Sequence, residues 1–476
     1  MRWLVVASIA LVALHCGDTT SSSDPPATPS PVAPEAGFLI VAPRDVTVHG
    51  VAVSIGAEAR LFYNLCPADD SPETKPILFL SNGFADDIVR AYGTGPTTVV
   101  EGGAVVANPA SFTRFANVVY IEPRQAGYSY DVLTGRAPTA DDCAPTIFNE
   151  YVDAADFLLA ALSFLDAHPT LTGPVYWVGE SYAGVRLTWL LAYLRGRWDL
   201  APYTDSTLAA KVAATTRATS LFAGQVLLES WLAGGAHTDA IDAECSDPVE
   251  VAAVTASVGS SCPGTNACTC ASTDDRSLYD FSYSVEEETD RETEADAAHI
   301  VPGLAAALLG MPLTAIPMLA QGERQQGFKC SAPDDTVPSE DTIDAALGAL
   351  PEGQAYYVPY SPLLPGKETM PTTRDWQTEN FEGIAFVDNL HDVPAFLTDG
   401  SLDLVVPTLA LAPALRAIVG ASAIDASSPT RLGVVYPDGE RFIDIYPYPN
   451  AGHMISMLEP AQLSSDVEAW LAARSP

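Results

Sequence analysis

Ser181 stands in Gly179-Glu180-Ser181-Tyr182-Ala183-Gly184, a run in which small residues flank one hydroxyl nucleophile. Val175-Tyr176-Trp177-Val178 precede it with strand character, and the apolar segment 185–194 follows with helical composition. A strand, a sharp turn and a helix with serine at the apex form the context of a nucleophile elbow. Such a turn lifts the hydroxyl clear of the sheet, and the N-terminus of the next helix favours developing negative charge. Serine attacks a carbonyl carbon only when a base takes its proton, most often a histidine oriented by a carboxylate. The chemistry in view is acyl transfer.

On an elbow of this kind the chain order is Ser, then Asp or Glu, then His. Of seven histidines, at 15, 49, 168, 237, 299, 391 and 453, the last four follow Ser181. His453 lies in Tyr448-Pro-Asn-Ala-Gly-His-Met, after a strand-like stretch at 441–446 and before a helical segment at 460–473. That is where the last loop at a sheet's carboxyl edge belongs. His391 precedes the candidate acids and reads as a loop residue. Residues 395–407 offer Asp399 and Asp403, and a strand ending at Thr398 puts both in the loop beyond it. Asp403 is preferred because Val405-Val406-Pro407 supplies an apolar wall against which its carboxylate can hold an imidazole. Asp399 is the alternative, and the competing reading of each is an aspartate that stabilises a turn beside glycine.

These groups need a sheet to bring them together. Pro76-Ile-Leu-Phe-Leu-Ser-Asn-Gly and Asn117-Val-Val-Tyr-Ile-Glu are apolar runs bounded by turn residues, as expected of buried strands in a mostly parallel sheet. Residues 150–168 place Ala155, Leu158, Leu159, Leu162 and Leu165 at helical spacing. Strand, helix, strand, helix in succession predicts a doubly wound α/β domain. Residues 237–384 differ in being richer in acidic residues, cysteine, glycine and proline, and read as a cap inserted over the sheet's carboxyl edge. The core is predicted in two parts, 38–236 and 385–476.

The chain of 476 residues is 48% apolar and 17% charged, the composition of a folded protein. Its 60 acidic and 23 basic residues give a formal charge of −37, which repels nucleic acid and anionic lipid, so neither is expected as a partner. Residues 1–16 combine Arg2 with the apolar run 3–14, which is too short to span a bilayer. With Cys16 and the Ser/Pro/Thr-rich tether at 17–37, this front end resembles that of a bacterial lipoprotein, implying export and possible membrane attachment through lipid on Cys16. An ordinary cleaved signal is the alternative. Seven further cysteines, at 66, 143, 245, 262, 268, 270 and 330, are expected to form disulfides in an exported chain, with one left over. No histidine stands near 262–270 at zinc-finger spacing, so no metal is expected, nor any cofactor.

The chain resembles the serine carboxypeptidases, capped α/β-hydrolases. The resemblance rests on Gly179-Glu-Ser-Tyr-Ala-Gly, Leu61-Phe-Tyr, Gly95-Pro96, Asn108-Pro-Ala-Ser-Phe, and Asn117-Val-Val-Tyr-Ile-Glu-Pro-Arg-Gln-Ala-Gly-Tyr-Ser-Tyr. Asp399-Gly-Ser-Leu-Asp, Ala451-Gly-His-Met and Glu459-Pro continue it. It implies a peptide substrate, with Asp403 as the catalytic acid. It also implies that Glu180 helps to bind the substrate's terminal carboxylate, which it can do only while protonated, and that Met454 lines the leaving-residue pocket. Gly83 and Tyr182 would supply the oxyanion-hole N–H groups. The loop 81–87 departs from the family's Asn-Gly-Gly-Pro-Gly-x-Ser-Ser. Asn82 is the candidate partner of Glu180 there, although alignment without a gap puts Ser81 in that place. The departure motivates a second reading, an esterase or acyltransferase. A third is a non-catalytic, surface-tethered binding protein.

Overall fold

The computed structural model describes residues 32–82, 93–100, 104–126, 128–143, 149–217, 220–230, 309, 311, 327–328, 381–400, 429–448 and 451–474. Its strands in chain order are β1 (Glu35–Val41), β2 (Arg44–Val48), β3 (Val51–Ile55), β4 (Glu58–Cys66), β5 (Ile77–Ser81), β6 (Thr97–Val100), β7 (Ala104–Ala107) and β8 (Asn117–Ile121). There follow β9 (Tyr130–Val132), β10 (Val175–Glu180), β11 (Tyr203–Thr204), β12 (Gly224–Leu228), β13 (Gly327–Phe328), β14 (Ala395–Gly400), β15 (Thr430–Tyr436) and β16 (Gly439–Tyr448). The helices that matter for the site are α1 (Glu150–Ala167), α2 (Ala183–Leu194), α3 (Ser206–Ala214), α4 (Phe381–Leu390), α5 (Ile455–Leu458) and α6 (Pro460–Ala472).

One sheet of 11 strands runs β13-β9-β4-β8-β5-β10-β12-β14-β16-β15, with β1 also paired to β4. From β8 to β16 every neighbour is parallel; antiparallel β4 and β15 flank this run. The central strands β5, β8, β10 and β12 are buried along their whole length, because helices cover both faces and a continuous apolar strand has no solvent side. The fold is that of the α/β-hydrolases, as the sequence predicts.

Alternate side chains leave a strand on opposite faces. Ile77, Phe79, Val175, Trp177 and Leu227 join the core under α1 and α2. Leu78, Leu80, Tyr176, Val178 and Val226 pack instead with Leu463, Val467 and Trp470 of α6. Trp177 stacks on Phe79 at 5.1 Å between ring centroids, and its indole N–H donates to the Leu221 carbonyl at 2.8 Å, so its burial leaves no polar debt. Asn149 caps α1 by accepting from the N–H groups of Tyr151 and Val152, a contact whose loss costs about 1 kcal/mol. A buried charge network ties the smaller β11-β2-β3 sheet to the helices: Arg44 meets Asp156 of α1 and the α3 cap Asp205, each at 2.6 Å.

Two boundaries differ from the sequence reading. β1 begins at Glu35, inside the segment read as tether, because its backbone pairs with the end of β4. β14 continues past Thr398 to Gly400, because β16 offers backbone partners as far as Tyr448. Asp399 is thus a strand residue and not a loop residue. Most of 237–384, the segment read as a cap, lies outside the described residues, as does Cys16. Among the described residues no helix is long and apolar enough to cross a membrane.

Candidate active site

Parallel strands end together. Gly179 pairs with Ser81, Glu180 with Leu228, Leu227 with Leu397 and Gly400 with Tyr448, so the carboxyl ends of β5, β10, β12, β14 and β16 form one edge. Open α/β sheets bind their ligands along such an edge.

Ser181 sits on it between β10 and α2, with φ of 56°. This left-handed conformation costs a non-glycine residue about 1–2 kcal/mol, and the surroundings impose it. The Ser181 N–H donates to the Leu228 carbonyl at 3.1 Å, and the Gly184 N–H donates to the Ser181 carbonyl at 3.0 Å. A side chain at Gly179 would meet Leu187 Cδ1 at 2.9 Å and the Ala183 carbonyl at 3.0 Å, so glycine there lets α2 fold back closely on its strand. Tyr182 occupies the N-cap position of α2. Strand, strained serine and helix are the nucleophile elbow that the sequence spacing predicts.

Glu180 is buried beside it. Its Oε2 accepts from Asn82 Nδ2 at 3.2 Å, and its Oε1 lies 3.5 Å from the Ser456 hydroxyl of α5. Ser81 turns away: its Oγ accepts from Arg186 of α2 and donates to the Asn82 carbonyl at 3.2 Å. Of the two residues left open by the sequence, Asn82 is the one that meets Glu180. Strand alternation is the signal that separates them. Ser81 continues the parity of Ile77 and Phe79 toward α2, whereas Asn82 and Glu180 both continue the parity of strand residues that face α6.

His453 and Met454 are buried on the turn between β16 and α5. That turn is pressed against β14: a side chain added at Gly400 would meet the Gly452 carbonyl at 2.5 Å and the Ala451 carbonyl at 2.9 Å. His391 lies elsewhere, half exposed between Asp392 at 2.7 Å and Asp438 at 3.0 Å. Asp403 and Gly83 fall outside the described residues; Asp403 follows the end of β14 by three positions in the chain.

At this edge the sequence reading misses two buried charged residues that contact the site's strand ends. Glu229 follows β12 with φ of 42°, and its Oε1 accepts from Thr398 Oγ1 at 2.9 Å and from the Gly400 N–H at 2.8 Å. It thereby fixes the end of β14. The available signal was a charged residue directly after an apolar strand. Arg186 is the second, one of the largest fully buried side chains. An arginine inside an apolar helix gives no hint of its partners. Among the described residues no cluster of three or more His, Cys, Asp or Glu side chains is placed to hold a metal ion.

The serine carboxypeptidase family model matches residues 42–194, a stretch that includes β5, β8, the elbow and α2. No curated protein matches the chain by sequence. Among solved structures it is similar to Kex1(delta)p, a prohormone-processing carboxypeptidase from Saccharomyces cerevisiae. The identity is 12%, the TM-score 0.53, and 92% of this chain and 91% of that one are covered. An acetylester hydrolase from Corynebacterium glutamicum aligns at 12% identity over 92% of this chain and 96% of its own, with a TM-score of 0.38. The family match, with the elbow inside it, supports a serine hydrolase.

Proposed function

We propose that the protein is an exported serine-type carboxypeptidase that removes C-terminal residues from peptides through an acyl-enzyme. Ser181 attacks the carbonyl carbon of the last peptide bond, while His453 takes its proton and passes it to the departing amine. Asp403 orients the imidazole. The backbone N–H groups of Gly83 and Tyr182 hold the oxyanion, where one donor is worth about 10²–10³ in kcat. Water then repeats the attack on the acyl-enzyme and releases the shortened peptide. Asn82, a protonated Glu180 and Met454 receive the leaving residue, the first two at its carboxylate.

The observation that carries this reading is the Asn82–Glu180 contact of 3.2 Å immediately beside the strained Ser181. An esterase needs the serine but has no use for a carboxylate-binding amide–acid pair next to it. A second reading, an esterase or acyltransferase on the same scaffold, is favoured by Ser81-Asn-Gly-Phe-Ala-Asp-Asp, which departs from the family's glycine-rich loop. Comparing a blocked peptide with a free C-terminal carboxylate against its C-terminal amide separates the two. The first reading expects strong preference for the acid, and equal rates end it. Ser181→Ala should abolish hydrolysis of both while leaving the melting temperature nearly unchanged. Export, by signal cleavage or with lipid on Cys16, is supported by the apolar front end and by the Cys16 that follows it. The cap over 237–384 is proposed to shape the pocket.

A further inference from the structure

Arg186 lies on α2, five positions after Ser181, with its side chain fully buried. Its Nε donates to Asp153 Oδ2 at 2.7 Å in the first turn of α1. Its Nη1 donates to Ser81 Oγ and, at 2.8 Å, to the Asn82 carbonyl. The guanidinium carbon lies 5.7 Å from the centroid of the Phe157 ring and 5.6 Å from that of Tyr182, so aromatic faces flank the group. Burial pushes the Asp153 carboxyl up and Arg186 pulls it back down, so the pair needs each other.

An arginine that served only to pin α1 to α2 would need the carboxylate alone. This one also reaches the last residue of β5 and the carbonyl just beyond it, the backbone from which the Asn82 amide projects toward Glu180. Asn82 is therefore held twice, by its main chain from the α2 side of the sheet and by its side chain from the other. A planar fork can span two acceptors and a carboxylate in one rigid geometry; an ammonium cannot.

We propose that Arg186 is a positioning residue for recognition of the substrate's terminal carboxylate, fixing the Asn82 amide against Glu180 through its hold on Ser81 and the Asn82 carbonyl. The proposal rests on the carboxypeptidase reading above. It differs from a purely structural role in what it moves: discrimination between a peptide acid and its amide, rather than stability alone.

The test compares the full chain with Arg186→Lys on a blocked peptide acid and the same peptide amide, with active sites titrated by fluorophosphonate labelling of Ser181. In Arg186→Lys the KM for the acid should rise by about tenfold, with kcat and the KM for the amide held within about twofold, because lysine keeps the charge but loses the fork. Should that variant fail to fold, Ser81→Ala removes one of the two grips and should raise the acid KM by about threefold. A folded, fully labelled variant that keeps the wild-type preference for acid over amide overturns the proposal. A wild-type protein without any such preference overturns the carboxypeptidase reading, and the role of Arg186 with it.

Discussion

Replacing Gly400 with alanine tests whether the turn carrying His453, the proposed base, is held where the proposed chemistry needs it. The new Cβ would stand 2.5 Å from the Gly452 carbonyl oxygen and 2.9 Å from that of Ala451, whereas ordinary contact begins at 3.4 Å. Both obstacles are main-chain atoms in the two residues before His453, so no rotamer relieves them. The turn must retreat by about 0.9 Å, and catalytic groups tolerate only about 0.5 Å. A displacement near 1 Å costs about 10²-fold in rate, so kcat should fall by about 10–100-fold, while over-packing costs about 1–3 kcal/mol of stability. Gly433→Ala on edge strand β15 is the control. Its Cβ would meet the tip of the exposed Glu440 side chain, which can swing into solvent. The assay is kcat and KM per labelled active site, with thermal melts of both variants. Wild-type kcat in a folded Gly400→Ala protein would refute the reasoning, because the imidazole would then be insensitive to the turn that bears it.

Glu180→Gln should separate the proton on Glu180 from its hydrogen bonds. A carboxyl binds the substrate carboxylate only when protonated, so the wild-type KM for a peptide acid should rise with pH by about tenfold per unit once that proton is lost. The glutamine amide donates without titrating, and its KM should stay flat over the same range; a variant that keeps the alkaline rise rules out Glu180 as the source. Arg136 and the N–H and hydroxyl of Thr139 hold the Asp142 carboxyl down at about 2. A folded value below the unfolded one means stability that is present above pH ~4 and is lost as pH falls through about 2. Because Arg136 is half exposed, solvent screening leaves about 1 kcal/mol. Asp142→Asn should melt lower at neutral pH by that amount and show a shallower loss between pH 4 and 2; urea melts at three pH values check it.

Much of the scaffold could be read from residue order because its causes are local. Pro76-Ile-Leu-Phe-Leu and Val175-Tyr-Trp-Val became β5 and β10 since an uninterrupted apolar run is stable only when both sides of a strand are covered. Ser181 took a left-handed backbone between a strand and a helix, with glycine at 179 where α2 crosses closely. β14 runs two residues past Thr398 because partner length on β16, not the sequence of β14, decides where pairing stops.

Residue order alone determined the continuous apolar strands and the elbow, since each depends on neighbours a few positions apart. Only the tertiary structure decided that Asn82 rather than Ser81 faces Glu180, that Arg186 grips both of those β5-end residues, and that Glu229 ties β12 to β14. These contacts join residues 98, 105 and 169 positions apart in the chain. Distance along the chain says nothing about which of many buried polar groups will meet. That is fixed when parallel strands align their carboxyl ends and each must find a hydrogen-bond partner away from water.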